Sequence, residues 1–243
     1  MQLILLAAGK SERIYKFIGK NKCLIKVNKI TLIEKIIADS SSYFNKINVV
    51  TGFKSYLIKK QLKNNPNINM IHNKDYYKTE MLHSLITGLK KINDDVVISY
   101  SDILVSKKIW KIFNNVKDKE ITLPIKTNWK SIWKTRSKAF LDDAESLRID
   151  KQKYLKEIGN KIKKNNKVDG QFMGLIYIPK KLIKKIIKLY KNYKLQKMQT
   201  TQFLNFLLKK NILIKCKPTN VFWYEIDDPI DLKNLNKIKF KID

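Results

Sequence analysis

The first residues of the chain limit its fold strongly, because an apolar run leads directly into a turn that contains glycine. Leu3 to Ala8 are all apolar, and a short run of this kind is typical of a strand buried on both faces of a parallel sheet. The turn from Gly9 to Arg13 combines small and basic residues. Small residues let backbone N–H groups approach phosphate oxygens closely. The opening therefore predicts an α/β protein that holds a phosphate above its first strand.

Two familiar phosphate-binding motifs do not account for this turn. Gly9-Lys10-Ser11 resembles the end of a P-loop, but position 4 is Ile where that motif requires Gly. The dinucleotide fingerprint GxGxxG is also absent from the sequence. The turn alone is weak evidence, so its interpretation depends on residues elsewhere.

Strand and helix patterns alternate through the first part of the chain. Thr31 is a suitable N-cap for a helix whose apolar residues recur at helical spacing from Leu32. Such alternation predicts a doubly wound, mostly parallel, Rossmann-like α/β sheet with its ligand at the carboxyl ends of the strands. The predicted strands here are 2–6, 47–51, 69–72 and 95–100, and the predicted helices are 32–37, 56–62 and 81–90.

The second part of the chain is less regular. Residues 121–174 contain short extended pieces, a pair of tryptophans and an acidic stretch. A lysine-rich amphipathic helix is predicted at 180–190, and its single apolar stripe favours a core-facing position over a membrane surface. The other predicted elements are strands at 175–178, 212–215 and 221–226 and a helix at 201–209.

Length and composition indicate one globular domain, 1–243. Of its 243 residues, 44% are hydrophobic, which is enough to bury a sizeable core. Cys23 and Cys216 are far apart and outside any CxxC pattern, so neither a disulfide framework nor a structural zinc site is expected. Apolar stretches are too short for a membrane span of ~20 residues or a signal-peptide core. We expect a cytoplasmic protein without membrane insertion.

The charge of the chain is high, yet its arginine content argues against nucleic acid as a partner. Lys and Arg number 51 and the formal net charge is +30, a balance that suggests a polyanionic partner. Only Arg13, Arg136 and Arg148 are arginines, whereas nucleic-acid readers favour the planar fork of Arg. The lysine excess fits a general bias toward Lys, Asn and Ile. We therefore expect no nucleic-acid partner, although a small polyanionic substrate would still be attracted.

The sequence after the opening turn makes the pattern specific. A Lys-Cys-Leu segment begins at Lys22, nine residues after Arg13. The whole stretch resembles the signature LAAGxGxR followed by PKxL of the sugar-nucleotide and phosphocholine nucleotidyltransferases. Ser11 stands where that signature has its second glycine, and Asn21 where it has proline. The resemblance implies a nucleotide-diphospho-sugar transferase type of sheet with a small acceptor-binding insertion.

The resemblance also implies roles for individual residues. The half at about 1–106 binds a nucleoside triphosphate and the half at about 107–243 binds the acceptor. Arg13 and Lys22 bind the triphosphate and act in catalysis. The expected nucleotide-binding residues are Leu6, Ala7, Ala8, Gly9, Lys10, Glu80 and Ser84. The alternative is a structural turn with ordinary surface lysines.

Two aspartates that follow predicted strands suggest a metal site. A single aspartate such as Asp102 is more often a turn former or a helix cap. Together with Asp227 it could hold one Mg²⁺, a cation that binds through a few carboxylates and substrate phosphates. The resemblance implies that these are the metal aspartates and that Mg²⁺ is the cofactor. Asp228 and Asp231 are expected to cap the closing helix, since Pro229 suits its first turn.

Four segments of the second half carry a further pattern, at 133–136, 142–145, 157–159 and 169–175. Together they resemble bacterial cytidylyltransferases for small phosphorylated head groups, including phosphocholine-type enzymes. Trp133, Trp223 and Tyr224 could face an ammonium group by cation–π contact, or the tryptophans could be core aromatics. The carboxylate of Glu80, Asp143 or Glu145 could pair with the same charge. The expected acceptor-binding residues are Trp133, Arg136, Asp143, Glu145, Gln171, Trp223 and Tyr224.

The predicted site suits a nucleotidyl transfer, in which Mg²⁺, Arg13 and Lys22 overcome the repulsion between two phosphates. We expect a CTP-dependent cytidylyltransferase that transfers CMP to a small phosphorylated amine, amino-acid-like or phosphonate acceptor, in surface polysaccharide or lipid head-group decoration. The alternatives are a sugar-1-phosphate nucleotidylyltransferase that uses UTP or dTTP, a basic nucleic-acid-binding protein, and a regulatory domain that binds nucleotide without turnover. A homodimer is left open.

Overall fold

Strands and helices alternate along most of the chain in the computed structural model. The structure describes residues 1–65, 67–114, 116, 120–136, 144–162 and 167–238. The strands are β1 Gln2–Ala7, β2 Lys26–Val27, β3 Ile30–Thr31, β4 Lys46–Thr51, β5 Ile68–His72, β6 Val96–Tyr100, β7 Ile103–Val105, β8 Ile121–Lys126, β9 Glu145–Ile149, β10 Leu155–Lys161, β11 Gln171–Phe172, β12 Leu175–Ile178, β13 Ile214–Thr219 and β14 Trp223–Glu225. The helices are α1 Glu12–Ile18, α2 Leu32–Ser40, α3 Ser55–Leu62, α4 Met81–Leu89, α5 Lys111–Asn114, α6 Trp129–Arg136, α7 Lys180–Asn192, α8 Thr200–Lys209 and α9 Pro229–Ile238. Of the helices described, none combines the length and the apolar character needed to cross a membrane.

The largest sheet is mostly parallel. Its strand order is β11-β8-β12-β6-β1-β4-β5, and β13 also pairs with β8. β1 runs parallel to β4 and β6, and β4 runs parallel to β5. β12 is inserted antiparallel between β6 and β8. The carboxyl ends of β1, β4 and β6 therefore meet at one edge, where a doubly wound fold binds its ligand. The predicted fold class is confirmed.

β1 is buried on both faces, which explains its unbroken apolar sequence. Ile4 and Leu6 face a core that they share with α4, whereas Leu3 and Leu5 face the core on the other side. Burial of each such side chain contributes about 1.5–3 kcal/mol. α4 approaches closely at Gly88, where an added Cβ would lie 3.0 Å from the Ile4 side chain. This packing fixes β1 and, with it, the turn that follows.

Two pairs of strands outside this sheet shape the second half. β14 pairs antiparallel with β7 and places Glu225 opposite Ile103. Because β7 begins shortly after β6 ends, this ribbon brings β14 beside the end of β6. β9 and β10 form an antiparallel hairpin that contacts α8. The hairpin approaches α8 closely at Gly159, where an added Cβ would lie 3.1 Å from the Thr201 side chain.

The sequence predictions hold best where the apolar pattern is regular. Each predicted strand of the first half is observed within one residue of its expected ends. The predictions for 212–215 and 221–226 are wrong in their bounds, because β13 runs further and β14 is shorter. β14 also belongs to the ribbon with β7 and not to the main sheet. The irregular segment 121–174 contains the fully buried strand β8, which its sequence pattern does not indicate.

α2 begins with a capping box. The Thr31 hydroxyl accepts a hydrogen bond from the Glu34 N–H at 3.3 Å, and the Glu34 carboxylate accepts one from the Thr31 N–H at 2.9 Å. These bonds satisfy two of the N–H groups that a helix start leaves without a partner. The predicted N-cap at Thr31 is confirmed.

The cap can be tested with Thr31→Ala. We expect the free energy of unfolding to fall by about 1 kcal/mol, because the Glu34 N–H loses its side-chain acceptor. Thr31→Ser keeps the hydroxyl and should stay within about 0.5 kcal/mol of the parent protein. Urea unfolding followed by circular dichroism measures both variants. Equal stabilities of the Ala and Ser variants would contradict a capping role.

Candidate functional site

A cavity of about 460 Å³ opens at the carboxyl ends of β1 and β6. The turn after β1, the turn after β6 and the start of α4 form its wall. Asp102, one of the two predicted metal ligands, lines it. The structure also brings the predicted nucleotide-binding and catalytic residues to this wall, namely Leu6, Ala7, Ala8, Gly9, Lys10, Arg13, Lys22, Glu80 and Ser84.

The turn after β1 presents its backbone to the cavity. A Cβ added to Gly9 would meet no described atom within 4 Å, so a ligand can approach the main chain there closely. The neighbouring carbonyl groups hold the turn in place. The Leu6 carbonyl accepts from the Ser101 hydroxyl at 2.6 Å, and the Ala8 carbonyl accepts from the Phe53 N–H at 3.1 Å. The turn is thus fixed to the ends of β6 and β4.

The two departures from the nucleotidyltransferase signature have backbone conformations that glycine and proline would also adopt. Ser11 is left-handed, with φ 59° and ψ 33°, a region in which glycine is favoured. Asn21 has φ −64° and ψ 142°, values that a proline would impose or allow. The Ser11 hydroxyl accepts from the Lys22 N–H at 3.0 Å, and the Asn21 amide donates to the Phe53 carbonyl at 2.8 Å. Side-chain hydrogen bonds therefore support both positions.

Lys22 lies at the centre of a charged cluster. Its Nζ is 2.6 Å from Asp227 Oδ1 and 3.3 Å from Asp102 Oδ2. The Lys22 side chain is only 13% exposed, and Asp227 and Asp102 are 14% and 20% exposed. Arg13, which is largely exposed, reaches the same Asp227 oxygen at 3.1 Å. The structure therefore brings the predicted catalytic and metal residues together.

Burial and charge oppose each other in this cluster. Burial lowers the pKa of Lys22, but the charges of Asp102 and Asp227 outweigh this effect and raise the pKa above its ordinary value. Burial raises the pKa of Asp102, and the charge of Lys22 opposes the rise without cancelling it. Lys22 is therefore charged at neutral pH.

Glu225 is a member of this cluster that the sequence predictions missed. Carboxylate oxygens of Asp102, Glu225 and Asp227 all lie within 4.8 Å of one another. The sequence signal was the spacing of Glu225 and Asp227, because residues two apart on an extended strand share a face. The three side chains offer oxygen donors, which Mg²⁺ prefers. Their like charges also need a cation nearby, so the residues present fit such an ion.

Asp231 fixes the loop that carries Asp227. This buried carboxylate accepts from the N–H groups of Asp227 at 2.8 Å and Asp228 at 3.2 Å. The Tyr224 hydroxyl donates to it at 3.2 Å. Asp228 in turn accepts from the Asp231 N–H at 2.9 Å, at the start of α9. These bonds confirm the predicted capping roles and hold the loop that carries Asp227, a candidate metal ligand.

Another part of the wall joins the two halves of the chain. The Ser84 hydroxyl accepts from the Asn73 amide at 3.0 Å, and the Glu80 carboxylate accepts from the Gln199 amide at 2.7 Å. The Glu80 N–H also donates to the Gln196 carbonyl at 2.9 Å. The start of α4 is therefore tied to the segment before α8.

Glu145 and Gln171, which the sequence predicts to bind the acceptor, are not among the described residues that line the cavity. The Gln171 amide donates to the Glu145 carbonyl at 2.7 Å, and the Thr201 hydroxyl donates to the Glu145 carboxylate at 3.2 Å. Burial raises the pKa of Tyr100, and the negative charges of Glu225, Asp102 and Glu145 raise it further. Tyr100, which lines the cavity, therefore stays a neutral hydroxyl.

The aromatic side chains predicted to contact the acceptor are core residues. Trp133 is 4% exposed, and Trp223 and Tyr224 are each 1% exposed. Trp133 stacks on Trp223 with ring centroids 5.1 Å apart, and Trp223 Nε1 donates to the Met173 carbonyl at 3.1 Å. The prediction that these rings face an ammonium group is therefore corrected, because their surfaces are already covered. The alternative of core aromatics holds for the two tryptophans and extends to Tyr224.

Two other predicted acceptor residues fall at the limit of the described chain. Arg136 is the last residue of α6, and its side chain lies outside the described part. Asp143 lies outside the described residues. Their roles stay predictions.

The fold and the cavity define a nucleotidyltransferase. Residues 3–200 match the MobA-like NTP transferase domain family, and the chain belongs to this family. The match spans β1 through the first residue of α8, and so includes the turn, Lys22 and Asp102. The resemblance that the opening signature suggests is confirmed.

Individual relatives align with most of this chain. The CTP:phosphoglutamine cytidylyltransferase of Campylobacter jejuni is 28% identical over 195 residues, which cover 77% of this chain and 76% of the relative. The inositol-1-phosphate CTP transferase from T. maritima has a TM-score of 0.77 at 17% identity, covering 100% of this chain and 97% of that chain. The CTP:phosphocholine cytidylyltransferase from Streptococcus pneumoniae has a TM-score of 0.72 at 18% identity, covering 98% of each chain. The two solved structures have the same fold as this chain.

The charge balance of the cluster can be tested with Lys22→Met. Without added cation, we expect the free energy of unfolding to fall by about 3 kcal/mol, because the neighbouring carboxylates lose their central cation. Millimolar Mg²⁺ should then raise the melting temperature of the variant more than that of the parent protein. Thermal unfolding in EDTA and in Mg²⁺ measures both effects.

Lys35→Met is the matched control. Lys35 forms an equally short ion pair with Asp39, at 2.7 Å, and is 15% exposed, but it is remote from the three carboxylates in the sequence and lies on α2. Lys35 neutralises one carboxylate where Lys22 neutralises two, so its loss should cost less than that of Lys22 and should leave the response to Mg²⁺ unchanged. Identical responses of the two variants to Mg²⁺ would contradict a cation site at Lys22.

Proposed function

We propose that the protein is a CTP-dependent cytidylyltransferase that transfers CMP to a small phosphorylated amine, amino-acid-like or phosphonate acceptor. The observation that carries this proposal is the position of Lys22 between Asp102 and Asp227, beside the cavity over the β1 turn. The choice of CTP and of this acceptor class draws on the Campylobacter jejuni relative, which is named for CTP and phosphoglutamine. The product would serve surface polysaccharide or lipid head-group decoration, from a cytoplasmic reaction.

The nucleotide is assigned to the wall made by the β1 turn and α4. The open backbone at Gly9 suits close approach of the sugar and phosphates. Lys10 and Arg13 add positive charge at the rim of the cavity. Glu80 and Ser84 offer hydrogen-bonding groups at the start of α4 for the base.

The reaction joins two anions. A phosphate or phosphonate oxygen of the acceptor attacks the α-phosphorus of CTP, a new P–O bond forms, and the bond to the oxygen that bridges to the β-phosphate breaks. Pyrophosphate leaves with that electron pair. Lys22 and Arg13 converge on one oxygen of Asp227, at 2.6 Å and 3.1 Å, and their charges stabilise the negative charge that accumulates at the reacting phosphate. No side-chain nucleophile is required.

Asp102, Glu225 and Asp227 would hold Mg²⁺ in this proposal. The ion supplies charge neutralisation at the phosphates and helps to orient them. Lys22 presents its charge beside Asp102 and Asp227, and Arg13 presents its charge beside Asp227. Tyr100 and Glu145 are assigned to the acceptor, whose ammonium group would pair with the exposed Glu145 carboxylate.

Pyrophosphate release identifies the substrates. The purified protein is tested with the ribonucleoside triphosphates and dTTP against phosphoglutamine, phosphocholine, aminoethylphosphonate, inositol-1-phosphate and glucose-1-phosphate. We expect release with CTP and a phosphorylated amine or amino acid, in the presence of Mg²⁺. Faster release with UTP or dTTP and glucose-1-phosphate would assign the alternative sugar-nucleotide activity. The absence of release with every pair would refute the proposal.

The metal assignment predicts the effect of Asp102→Asn and Asp227→Asn. Each variant should lose at least about 100-fold in kcat, because removal of a group that stabilises transition-state charge costs 10²–10³-fold. Glu225→Gln should also lose activity, by about tenfold or more. Asp39→Asn, a change at an equally buried carboxylate on α2, should keep full activity. Circular dichroism checks that all four variants fold, and substantial activity in either aspartate variant would disprove the metal assignment.

A further inference from the structure

We propose that Ser11 and Asn21 are positioning residues that together fix Lys22 between Asp102 and Asp227. The catalytic part of this inference rests on the proposed function, but the effect on Lys22 itself can be measured without substrates. Neither side chain is assigned a ligand. Each acts through the backbone of Lys22.

Ser11 has a left-handed backbone conformation that is unfavourable for serine. A residue with a Cβ is strained at φ 59°, and a glycine there would relieve the strain. The Ser11 hydroxyl, however, accepts from the N–H of Lys22, the first residue of a 3₁₀ turn at Lys22–Leu24. N–H groups at the start of such a turn have no partner within it. The strain at Ser11 is therefore offset by a contact that a glycine could not make.

Asn21 holds the other side of Lys22. Its amide nitrogen donates to the Phe53 carbonyl, and the Phe53 N–H donates to the Ala8 carbonyl. A circuit of hydrogen bonds thus runs from the β1 turn through Phe53, Asn21 and Lys22 to Ser11 and back to the turn. Lys22 is the member of this circuit whose side chain enters the charged cluster.

This circuit matters because a lysine side chain has many rotamers and positions its charge poorly unless its backbone is fixed. A shift of about 1 Å in a group that acts on the transition state can cost about 100-fold in rate. Loss of either anchor should therefore lower kcat more than it raises KM. A purely structural role would change stability instead.

Ser11→Gly separates these roles. Glycine accepts φ 59° without strain but loses the bond to the Lys22 N–H, so the two effects offset each other and the melting temperature should change little. We expect kcat for pyrophosphate release to fall about tenfold, with the KM for CTP within about twofold. Asn21→Ala should behave similarly, and Asn21→Pro should recover most of that loss because proline fixes the observed φ. In the Ser11→Gly/Asn21→Ala double variant the losses should not multiply, since both act through Lys22.

Acetylation of lysines, followed by peptide mass spectrometry, gives a readout that needs no substrate. Lys35 is the internal reference, because its side chain is 15% exposed and paired with Asp39, close to the 13% of Lys22. We expect Ser11→Gly and Asn21→Ala to speed acetylation of Lys22 severalfold and to leave Lys35 unchanged. An unchanged rate at Lys22 in both variants overturns this proposal, whatever happens to activity. Failure of the parent protein to release pyrophosphate would instead refute the proposed function.

Discussion

The contact of Lys22 with Asp102 and Asp227 is the constraint on which the rest of the structure depends. The residues that it joins are 80 and 205 positions apart in the sequence. Lys22 follows the turn after β1, Asp102 follows β6, and Asp227 follows β14. Like-charged groups in a partly buried place are stable only when an opposite charge compensates them. The order of β1 and β6 in the sheet, and the pairing of β14 with β7, meet this requirement.

The sequence identifies those features that follow from local pattern. β1 can be predicted from the sequence because both of its faces are covered, so each of its positions favours an apolar side chain. Thr31 can be predicted as a cap because the bond that it makes lies within the same turn. Lys22 and Asp102 follow from a family signature and from the rule that ligands bind at strand ends, and their convergence can be foreseen once the parallel sheet is assigned. Asp227 follows from the family signature alone, because β14 lies outside that sheet.

Other features depend on contacts that no local pattern encodes. Trp133 and Trp223 have the character of a binding site for an ammonium group, and only their mutual stacking reveals that they belong to the core. β8 is buried along its entire length between strands that follow it in the sequence, so its partners are unknown from its own residues. Glu225 joins the carboxylates because β14 lies beside β7, and this pairing is set by tertiary structure.

The ribbon of β7 and β14 places Glu225 on a different sheet from the β1 strand and its turn. β1, with the open turn at Gly9, is held in the main sheet by neighbours on both sides. Glu225 ends a short strand that pairs only with β7 among the described strands, and Asp227 follows two residues later. Trp223 begins that same strand and stacks on Trp133. A substitution at Trp133 therefore acts on the strand that carries Glu225 and leaves the pairing of β1 unchanged.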